Sequence, residues 1–262
     1  KIDDDLIEYI IEEYTNEPGV RKLKQLIFDI VGEINLEVLN NEDHEIPIYV
    51  TKEMLLTKYL SHYTPYEPQK IPPQSEVGVI NGLWANSLGN GGIIPIQVRF
   101  YITNNFHELK LTGMQGDVMK ESMNVAKTLA CSLAKTSGVS EQMIKDKLQG
   151  IHIHCPDGAT PKDGPSAGAA ITTAIYSLLT NKKINHLYGI TGEINLQGNV
   201  TKIGGLDLKI VGGIRGGVKT FLYPYENKED YDKFMEKNKE NKIIEGITFH
   251  SVKTIHDVLK KI

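Results

Sequence analysis

Ser166 ends a polar segment rich in Gly, Pro and Asp, CPDGATPKDGPSAG, and directly precedes a small, apolar segment that is typical of a buried helix. A serine hydroxyl becomes a nucleophile when a base lies within hydrogen-bond reach and donors stabilise the oxyanion. Gly164, Pro165 and Gly168 permit a tight turn, and unpaired N–H groups at a helix start can supply such donors. The competing interpretation is an N-cap, the commonest role of a serine at this position.

Two kinds of residue are candidates for the base. His152 and His154 share one face of the alternating segment IHIHC, which predicts a strand and in which they are otherwise half-buried strand residues. Lys209 lies in an apolar, glycine-rich setting, and a desolvated lysine can also act as a base. Its alternative is an ordinary helix lysine with a snorkelling stem. Asp157 and Asp163 are equally consistent with turn formation, so the residues alone leave the base undecided.

The first part of the chain predicts a small helical domain, residues 1–63, with apolar residues at helical spacing. Within it, 46–50 predicts a short strand and Thr51 predicts an N-cap for the helix that follows. Four prolines between residues 64 and 74 fix φ and remove donors, so 64–74 predicts an extended linker.

The rest of the chain, residues 75–262, alternates strand patterns with helix patterns and predicts an α+β domain with a core of its own. The long amphipathic segment 116–138 predicts one helix, and the apolar segment from Ser166 to Leu179 predicts another. The segment 206–217, which carries the candidate lysine, predicts a helix loosened by glycines.

Composition narrows the class of protein. The chain has 262 residues and a net charge of −4, so no strongly basic surface suggests nucleic-acid binding. No apolar run is long enough to predict a membrane span. The two cysteines, Cys131 and Cys155, are too few for a disulfide framework and favour a reducing compartment. Because the chain begins at Lys1 without a signal peptide, we expect a piece of a longer protein or a processed product.

Several segments together identify a resemblance. PDGATPKDGPSAG (156–168) resembles the active-site segment of the Lon family of ATP-dependent proteases, and TGEINLQGNVTKIGGLDLK (191–209) resembles its second signature. The segments VGVINGLW (77–84), LTGMQGDVMKES (111–122) and GGVKTFLYPYENKEDY (216–231) are similar to further parts of the same protease domain, in the same order. The resemblance runs from about residue 75 to the end of the chain.

The resemblance implies a serine endopeptidase with a Ser–Lys dyad. Lys209 follows Ser166 by 43 residues, the spacing of the family's nucleophile and base. Thr191 matches the position that orients the lysine, with an ordinary strand threonine as the alternative. Asp163 matches the loop before the serine, and we expect it to be structural by accepting backbone N–H groups. Peptide-bond cleavage by such a dyad implies no metal and no cofactor.

The helical part also resembles this family. YTNEPGVRKLKQLI (14–27) is similar to the small helical AAA+ subdomain that follows the ATPase core in Lon, with the core itself missing here. By that resemblance Arg21 is a nucleotide-sensing arginine, since a guanidinium suits phosphate; a surface arginine is the alternative. No Gly-Lys dipeptide occurs in the sequence, so it holds no P-loop and we expect no ATP hydrolysis by this chain alone. ATP and Mg²⁺ are expected for the full-length protein only.

One departure from the family pattern concerns the lysine segment. Asp207 and Leu208 stand where the family commonly has a charged pair, which leaves the dyad intact but puts local substrate or subunit contacts in doubt. Two other readings remain: an inactive module of the same fold that holds a ring together, and a phosphate-binding protein that uses GNGG (89–92) and DGPSAG as cradles. The presence of both dyad residues disfavours the first, and the lack of a lysine after the glycines disfavours the second.

Partners and compartment also follow from the resemblance. It implies that the substrates are unfolded or damaged proteins and that the protein acts in protein quality control. It also implies a homo-oligomer, which is a hexamer in the full protein, and no membrane partner. DNA binding by the full protein is left open and is not indicated here. GDVMKES and IHIHCPDGAT resemble mitochondrial members of the family, which favours the mitochondrial matrix, with the bacterial cytoplasm as the alternative.

Overall fold

The computed structural model describes residues 1–15, 17, 19–40, 46–87, 89–105, 108–139, 150–156, 162–239 and 242–262. The chain forms two compact units. The smaller comprises Lys1–Pro68 with Ser87–Asn90, and the larger comprises Gln69–Asn86 with Gly91–Ile262. The chain therefore passes from one unit to the other within the proline-rich segment.

The smaller unit is helical. Its elements are α1 (Asp4–Ile10), a π-helical turn (Ile11–Thr15), α2 (Arg21–Asn40), α3 (Lys52–Met54) and a second π-helical turn (Leu55–Tyr59). They bury one apolar cluster, whose largest members are Ile10, Leu26, Ile30, Leu55, Tyr59 and Leu60. The Thr51 hydroxyl accepts the N–H of Met54 at 3.2 Å, so the predicted N-cap is confirmed.

The predicted strand at residues 46–50 is wrong. These residues form no strand in the structure. The Val50 N–H donates to the Lys1 carbonyl oxygen at 2.9 Å, and the Ile48 carbonyl accepts from the Lys1 amine. Among the described residues, Lys1 is the only one that forms backbone hydrogen bonds with this segment, whereas a strand needs a ladder.

The larger unit is built around a mixed sheet. Its strands are β1 (Glu76–Val77), β2 (Val79–Ala85), β3 (Gly91–Tyr101), β4 (Leu109–Thr112), β5 (Gly150–His154), β6 (Lys183–Ile184), β7 (Tyr188–Ile190), β8 (Glu193–Ile194), β9 (Val200–Thr201), β10 (Thr220–Pro224) and β11 (Thr248–Val252). Seven of them pair in the order β11-β10-β7-β2-β3-β5-β4. The strands from β11 to β2 run parallel, and β3 is antiparallel to both of its neighbours. Two small antiparallel pairs, β1–β6 and β8–β9, stand apart from this sheet.

Helices cover both faces of the sheet. They are α4 (Asp117–Thr136), α5 (Gly168–Thr180), α6 (Leu206–Gly216), α7 (Lys228–Lys237) and α8 (Ile255–Leu259), and one-turn 3₁₀ helices occur at Pro165–Ala167, Tyr225–Asn227 and Lys242–Ile244. Because side chains alternate along a strand, Ile80 of β2 joins the core under α4, α5 and α8, whereas Leu83 joins the core under α6 and α7. The prediction of a mixed domain of strands and helices after a short helical region is confirmed.

Helix α5 carries the candidate serine at its base and is buried almost throughout, from Gly168 to Leu179. It packs against α4, its most extensive helix neighbour, in the larger core cluster. Among the residues that the structure describes, no helix is both long and apolar enough to cross a membrane.

Candidate active site

Asp163 fixes the described residues directly before the serine. Its carboxylate accepts the N–H of Met119 in α4 at 2.9 Å and the N–H of Gly164 at 2.8 Å. These backbone donors hold the pKa of Asp163 below its ordinary value, so the group is charged at neutral pH. Gly164 has φ +104°, a left-handed conformation that L side chains rarely adopt, and it directs the chain into the 3₁₀ turn.

Ser166 is the second residue of the 3₁₀ turn Pro165–Ala167, and α5 begins only at Gly168. Neither helix start has a side-chain cap, so the structure does not support the capping interpretation of Ser166. The Ser166 hydroxyl forms no hydrogen bond with a described residue, and its N–H lies in the first turn, where backbone donors lack intrahelical acceptors. A half-buried serine with an unengaged hydroxyl is thus placed beside an unpaired N–H.

Lys209 lies in the first turn of α6 and is only 3% exposed. Its Nζ donates to the Thr191 hydroxyl at 3.3 Å, and it forms no ion pair with any described residue. Burial alone lowers the pKa of Lys209 from 10.5 to about 8, because a low-polarity environment disfavours the ammonium form. The burial of Lys209 does not agree with the alternative of an ordinary exposed helix lysine.

A close approach of backbones causes this burial. A Cβ placed on Gly212 of α6 would lie 2.1 Å from the carbonyl carbon of Gly91, and one on Gly91 would lie 2.1 Å from the Leu208 carbonyl oxygen. No side chain fits at either position. Helix α6 can therefore lie directly on β3, and its first turn carries Lys209 below the surface.

Thr191 connects the turn that carries Ser166 to the side chain of Lys209. Its hydroxyl accepts from Lys209 Nζ and donates to the Ser166 carbonyl oxygen at 3.3 Å. The Ser166 carbonyl also accepts the N–H of Gly192 at 2.8 Å, and the Thr191 N–H donates to the Leu222 carbonyl of β10 at 3.1 Å. Thr191 is fully buried, so these bonds tie the serine turn and the lysine to the end of the central sheet.

Ser166 and Lys209 line one cavity of about 400 Å³. Its other walls include Glu193, Lys202, Ile203 and Leu208. The structure therefore brings together the two residues that lie 43 positions apart in the sequence. Among the described residues no hydrogen bond joins Lys209 Nζ to the Ser166 hydroxyl, and the amine donates to Thr191.

The candidate histidines lie elsewhere. Thr112 Oγ1 is 2.9 Å from His152 Nε2 and 2.7 Å from His154 Nδ1, and neither ring lines the cavity. Burial, followed by the charges of Lys110 and His154, lowers the pKa of His152 below 6.5. Asp157, the other turn candidate, lies outside the described residues.

Arg21 is the first residue of α2 in the smaller unit, where it is exposed and its guanidinium forms no hydrogen bond or ion pair with a described residue. Asp207 is exposed in the first turn of α6, whereas Leu208 faces the cavity. In the described part of the chain, no group of three or more His, Cys, Asp or Glu residues could hold a metal ion.

The segment Lys202–Gly205 forms one wall of the cavity, but no site role was predicted for any of its residues. Its signals in the sequence are the glycine pair before a helix and its position inside the segment 191–209 that resembles the second Lon signature. The residues that hold this wall in place, Glu226 and Asn227, follow β10 and were not selected either.

Comparison with known families accounts for both units. Residues 49–262 match the profile of the Lon protease (S16) C-terminal proteolytic domain, and residues 1–46 match the Lon protease AAA+ ATPase lid domain.

Individual relatives agree with the family match. The chain is 36% identical over 297 aligned residues to a Lon protease homolog of Acanthamoeba polyphaga mimivirus, covering 91% of the chain and 29% of the relative. It is 38% identical over 262 residues to the Lon protease of Fusobacterium nucleatum, covering 99% and 32%. Identity to the Lon protease of Methanosphaera stadtmanae is also 38% over 262 residues, covering 99% and 30%. The chain thus spans under a third of these relatives and belongs to the Lon protease family, as its C-terminal proteolytic domain and AAA+ ATPase lid.

Proposed function

We propose that the chain is a serine endopeptidase in which Ser166 is the nucleophile and Lys209 is the general base. One observation carries the proposal: a buried lysine without an ion pair among the described residues shares a cavity with an unengaged serine hydroxyl. A pKa of about 8 leaves roughly one Lys209 in ten uncharged at pH 7, which is roughly 300-fold more than at the ordinary lysine value.

The reaction begins when the neutral Lys209 amine accepts the proton of the Ser166 hydroxyl while the serine oxygen bonds to the peptide carbonyl carbon. The Ser166 N–H donates to the oxyanion that forms. The Lys209 ammonium then gives its proton to the leaving amine, the C–N bond breaks, and an ester remains on Ser166. In the second half, Lys209 takes a proton from the attacking water, the acid is released, and the proton returns to the serine oxygen.

Thr191 and Asp163 support the dyad in this proposal. The Thr191 hydroxyl fixes the direction of Nζ and, through the Ser166 carbonyl, the turn that carries the nucleophile. Asp163 holds the preceding loop to the start of α4 through its two backbone donors. Neither side chain lines the cavity, so both act by positioning.

For the full-length protein we propose ATP-dependent degradation of unfolded or damaged proteins by a hexameric homo-oligomer. Residues 1–63 act there as the small helical AAA+ subdomain, 64–74 as a linker and 75–262 as the protease domain. ATP and Mg²⁺ do not fit the described residues of this chain, because Arg21 lies on an exposed helix surface and the sequence has no phosphate-cradling loop. Arg21 therefore contacts nucleotide phosphate only beside an ATPase core.

For the compartment we propose the mitochondrial matrix, with the bacterial cytoplasm as the alternative. The support is the resemblance of two short segments, GDVMKES and IHIHCPDGAT, while the relatives named above come from a virus, a bacterium and an archaeon. Fluorescence microscopy of the tagged full-length protein in its own cells decides between them, and signal outside mitochondria contradicts the matrix.

The test of the proposed function uses a fluorogenic peptide and unfolded casein. We expect the 262-residue chain to cleave both, and Ser166→Ala and Lys209→Ala to abolish cleavage while retaining the folded circular dichroism spectrum. A fluorophosphonate should add to Ser166 in the wild type, as read by mass spectrometry of tryptic peptides. Equal cleavage by all three proteins contradicts the dyad.

The alternative from the sequence is an inactive module of the same fold that only assembles a ring. Sedimentation of the same three proteins separates the two. A wild type that forms rings but neither cleaves peptide nor reacts with the fluorophosphonate supports the inactive module.

A further inference from the structure

One wall of the cavity is held by side chains instead of by a strand. β9 ends at Thr201, and the next two residues, Lys202 and Ile203, line the cavity that contains Ser166. The Lys202 N–H donates to a Glu226 carboxylate oxygen at 2.8 Å. The Ile203 N–H donates to Asn227 Oδ1 at 3.0 Å, and Asn227 Nδ2 donates to the Ile203 carbonyl at 2.8 Å.

Asn227 is fully buried and all of its amide is engaged. In addition to the two bonds that the Asn227 side chain forms with Ile203, its Nδ2 donates to an Asp230 carboxylate oxygen at 2.7 Å. A buried amide is costly unless its donors and acceptor are satisfied, so only one placement of the Ile203 peptide suits this site. Asn227 ends the 3₁₀ turn that follows β10, and it therefore transmits the position of the central sheet to the wall.

The last two residues of the wall cannot hold it by themselves. Gly204 has no atoms near the position of a Cβ, and Gly205 adopts a left-handed conformation with φ +65° before α6 begins. Two consecutive glycines leave the backbone free to move. The bonds from Asn227 and Glu226 thus position the backbone of the wall between β9 and α6, together with the burial of the Ile203 side chain in the core under α6 and α7.

We propose that Asn227, assisted by Glu226, is a positioning residue that holds the Lys202–Gly205 wall at the separation from Ser166 that a bulky substrate side chain requires. The inference rests on the proposed protease function. Neither Asn227 nor Glu226 lines the cavity, so both act through the wall. The Lys209 side chain is placed by the Gly91–Gly212 approach and by Thr191, and the Lys209 N–H donates to the Gly205 carbonyl of the wall at 3.0 Å. Because the bonds from Asn227 and Glu226 act at Ile203 and Lys202, we expect their loss to affect substrate binding more than the chemical step.

The experiment measures kcat and KM on two fluorogenic peptides that differ only in leucine or alanine before the scissile bond. In Asn227→Ala, which removes two bonds to the wall, we expect KM for the leucine peptide to rise about 10-fold, with kcat within about 3-fold of wild type. For the alanine peptide we expect a change in KM below about 2-fold, since a small side chain makes little contact with the wall.

Glu226 supplies the matched pair of variants, because it is exposed and its replacement leaves the core unchanged. Glu226→Ala should raise KM for the leucine peptide about 3-fold, and Glu226→Gln, which keeps an acceptor for the Lys202 N–H, should restore it. This pair decides the inference if Asn227→Ala fails to fold. Diisopropyl fluorophosphate tests the reactivity of Ser166 and Lys209 without needing contact with the wall. Its rate of inactivation of the variants should stay within about 2-fold of wild type.

Two patterns of results overturn the inference. In the first, kcat falls with KM unchanged for both peptides, which shows loss of folded enzyme and not a displaced wall. In the second, Glu226→Ala and Glu226→Gln have the same KM. Failure of the proposed function has a different pattern, since the wild type then resists the fluorophosphate or Ser166→Ala still cleaves, and that outcome overturns both proposals.

Discussion

Two clusters in the larger unit are built around a threonine hydroxyl, and both offer a base. In one, Thr191 lies between the Lys209 amine and the Ser166 carbonyl. In the other, Thr112 lies between the rings of His152 and His154. The Thr191 cluster is buried and adjoins the cavity that Ser166 lines. The Thr112 cluster is half-exposed, and its two histidines lie on one face of β5.

The comparison shows that environment, and not distance along the chain, selects the base. His154 lies 12 residues before Ser166, whereas Lys209 lies 43 residues after it. A histidine is largely neutral at pH 7 without help, but these two have no access to the serine. A lysine base needs its pKa lowered, and the burial of Lys209 in the first turn of α6 lowers it.

The largest effect should come from Lys209→Met, which keeps the length and apolar stem of the side chain but removes the amine. We expect kcat/KM for peptide cleavage to fall about 10³-fold, since a positioned general base contributes 10²–10⁴-fold. Lys182→Met, at an exposed lysine, is the matched control and should keep wild-type activity. A Lys209→Met enzyme with more than about a tenth of wild-type kcat/KM would show that another group is the base.

An intermediate effect is expected from Thr191→Val, which preserves the shape of the side chain and removes the hydroxyl. Lys209 Nζ then loses its acceptor and the Ser166 carbonyl loses one of its two donors. We expect kcat to fall about 10-fold, and Thr191→Ser to recover most of it, because each lost bond is worth about 1 kcal/mol. If valine and serine variants have equal kcat, the hydroxyl does not position the dyad.

The smallest effect should come from the double variant His152→Ala with His154→Ala. Because neither ring lines the cavity, we expect kcat/KM to change by less than about 2-fold. Thermal unfolding measured in parallel accounts for any loss of folded protein. A drop in kcat/KM of more than about 10-fold with an unchanged unfolding midpoint would show that the histidines take part in the reaction.

The sequence was sufficient to locate the serine turn, both long helices of the larger unit and the strand that contains His152 and His154. Periodicity and glycine placement carry this information locally. The sequence could not show that Lys209 is buried, because its burial depends on the close approach of Gly212 of α6 to Gly91 of β3. These two glycines are more than a hundred residues apart. For the same reason the contact of Asn227 with Ile203 was not foreseeable.

Local signals also misled in two places. IPIYV has strand-forming residues, yet Pro47 lacks a donor, and among the described residues the backbone of the segment bonds only to Lys1, so no ladder forms there. A serine before an apolar helix suggests a cap, yet a 3₁₀ turn separates Ser166 from α5 and leaves its hydroxyl unengaged. In both cases tertiary contacts determined the outcome.

The pH dependence of kcat/KM, measured with an uncharged peptide from pH 5 to 11, tests the central claim most directly. Only neutral Lys209 accepts the serine proton, so activity should rise about tenfold per pH unit below the pKa and level off above it. The midpoint should lie at about 8, the value that burial gives Lys209. A midpoint near 6.5 would identify a histidine, and a rate still climbing above pH 10 would identify an unperturbed lysine; either result contradicts a buried, neutral Lys209 as the base.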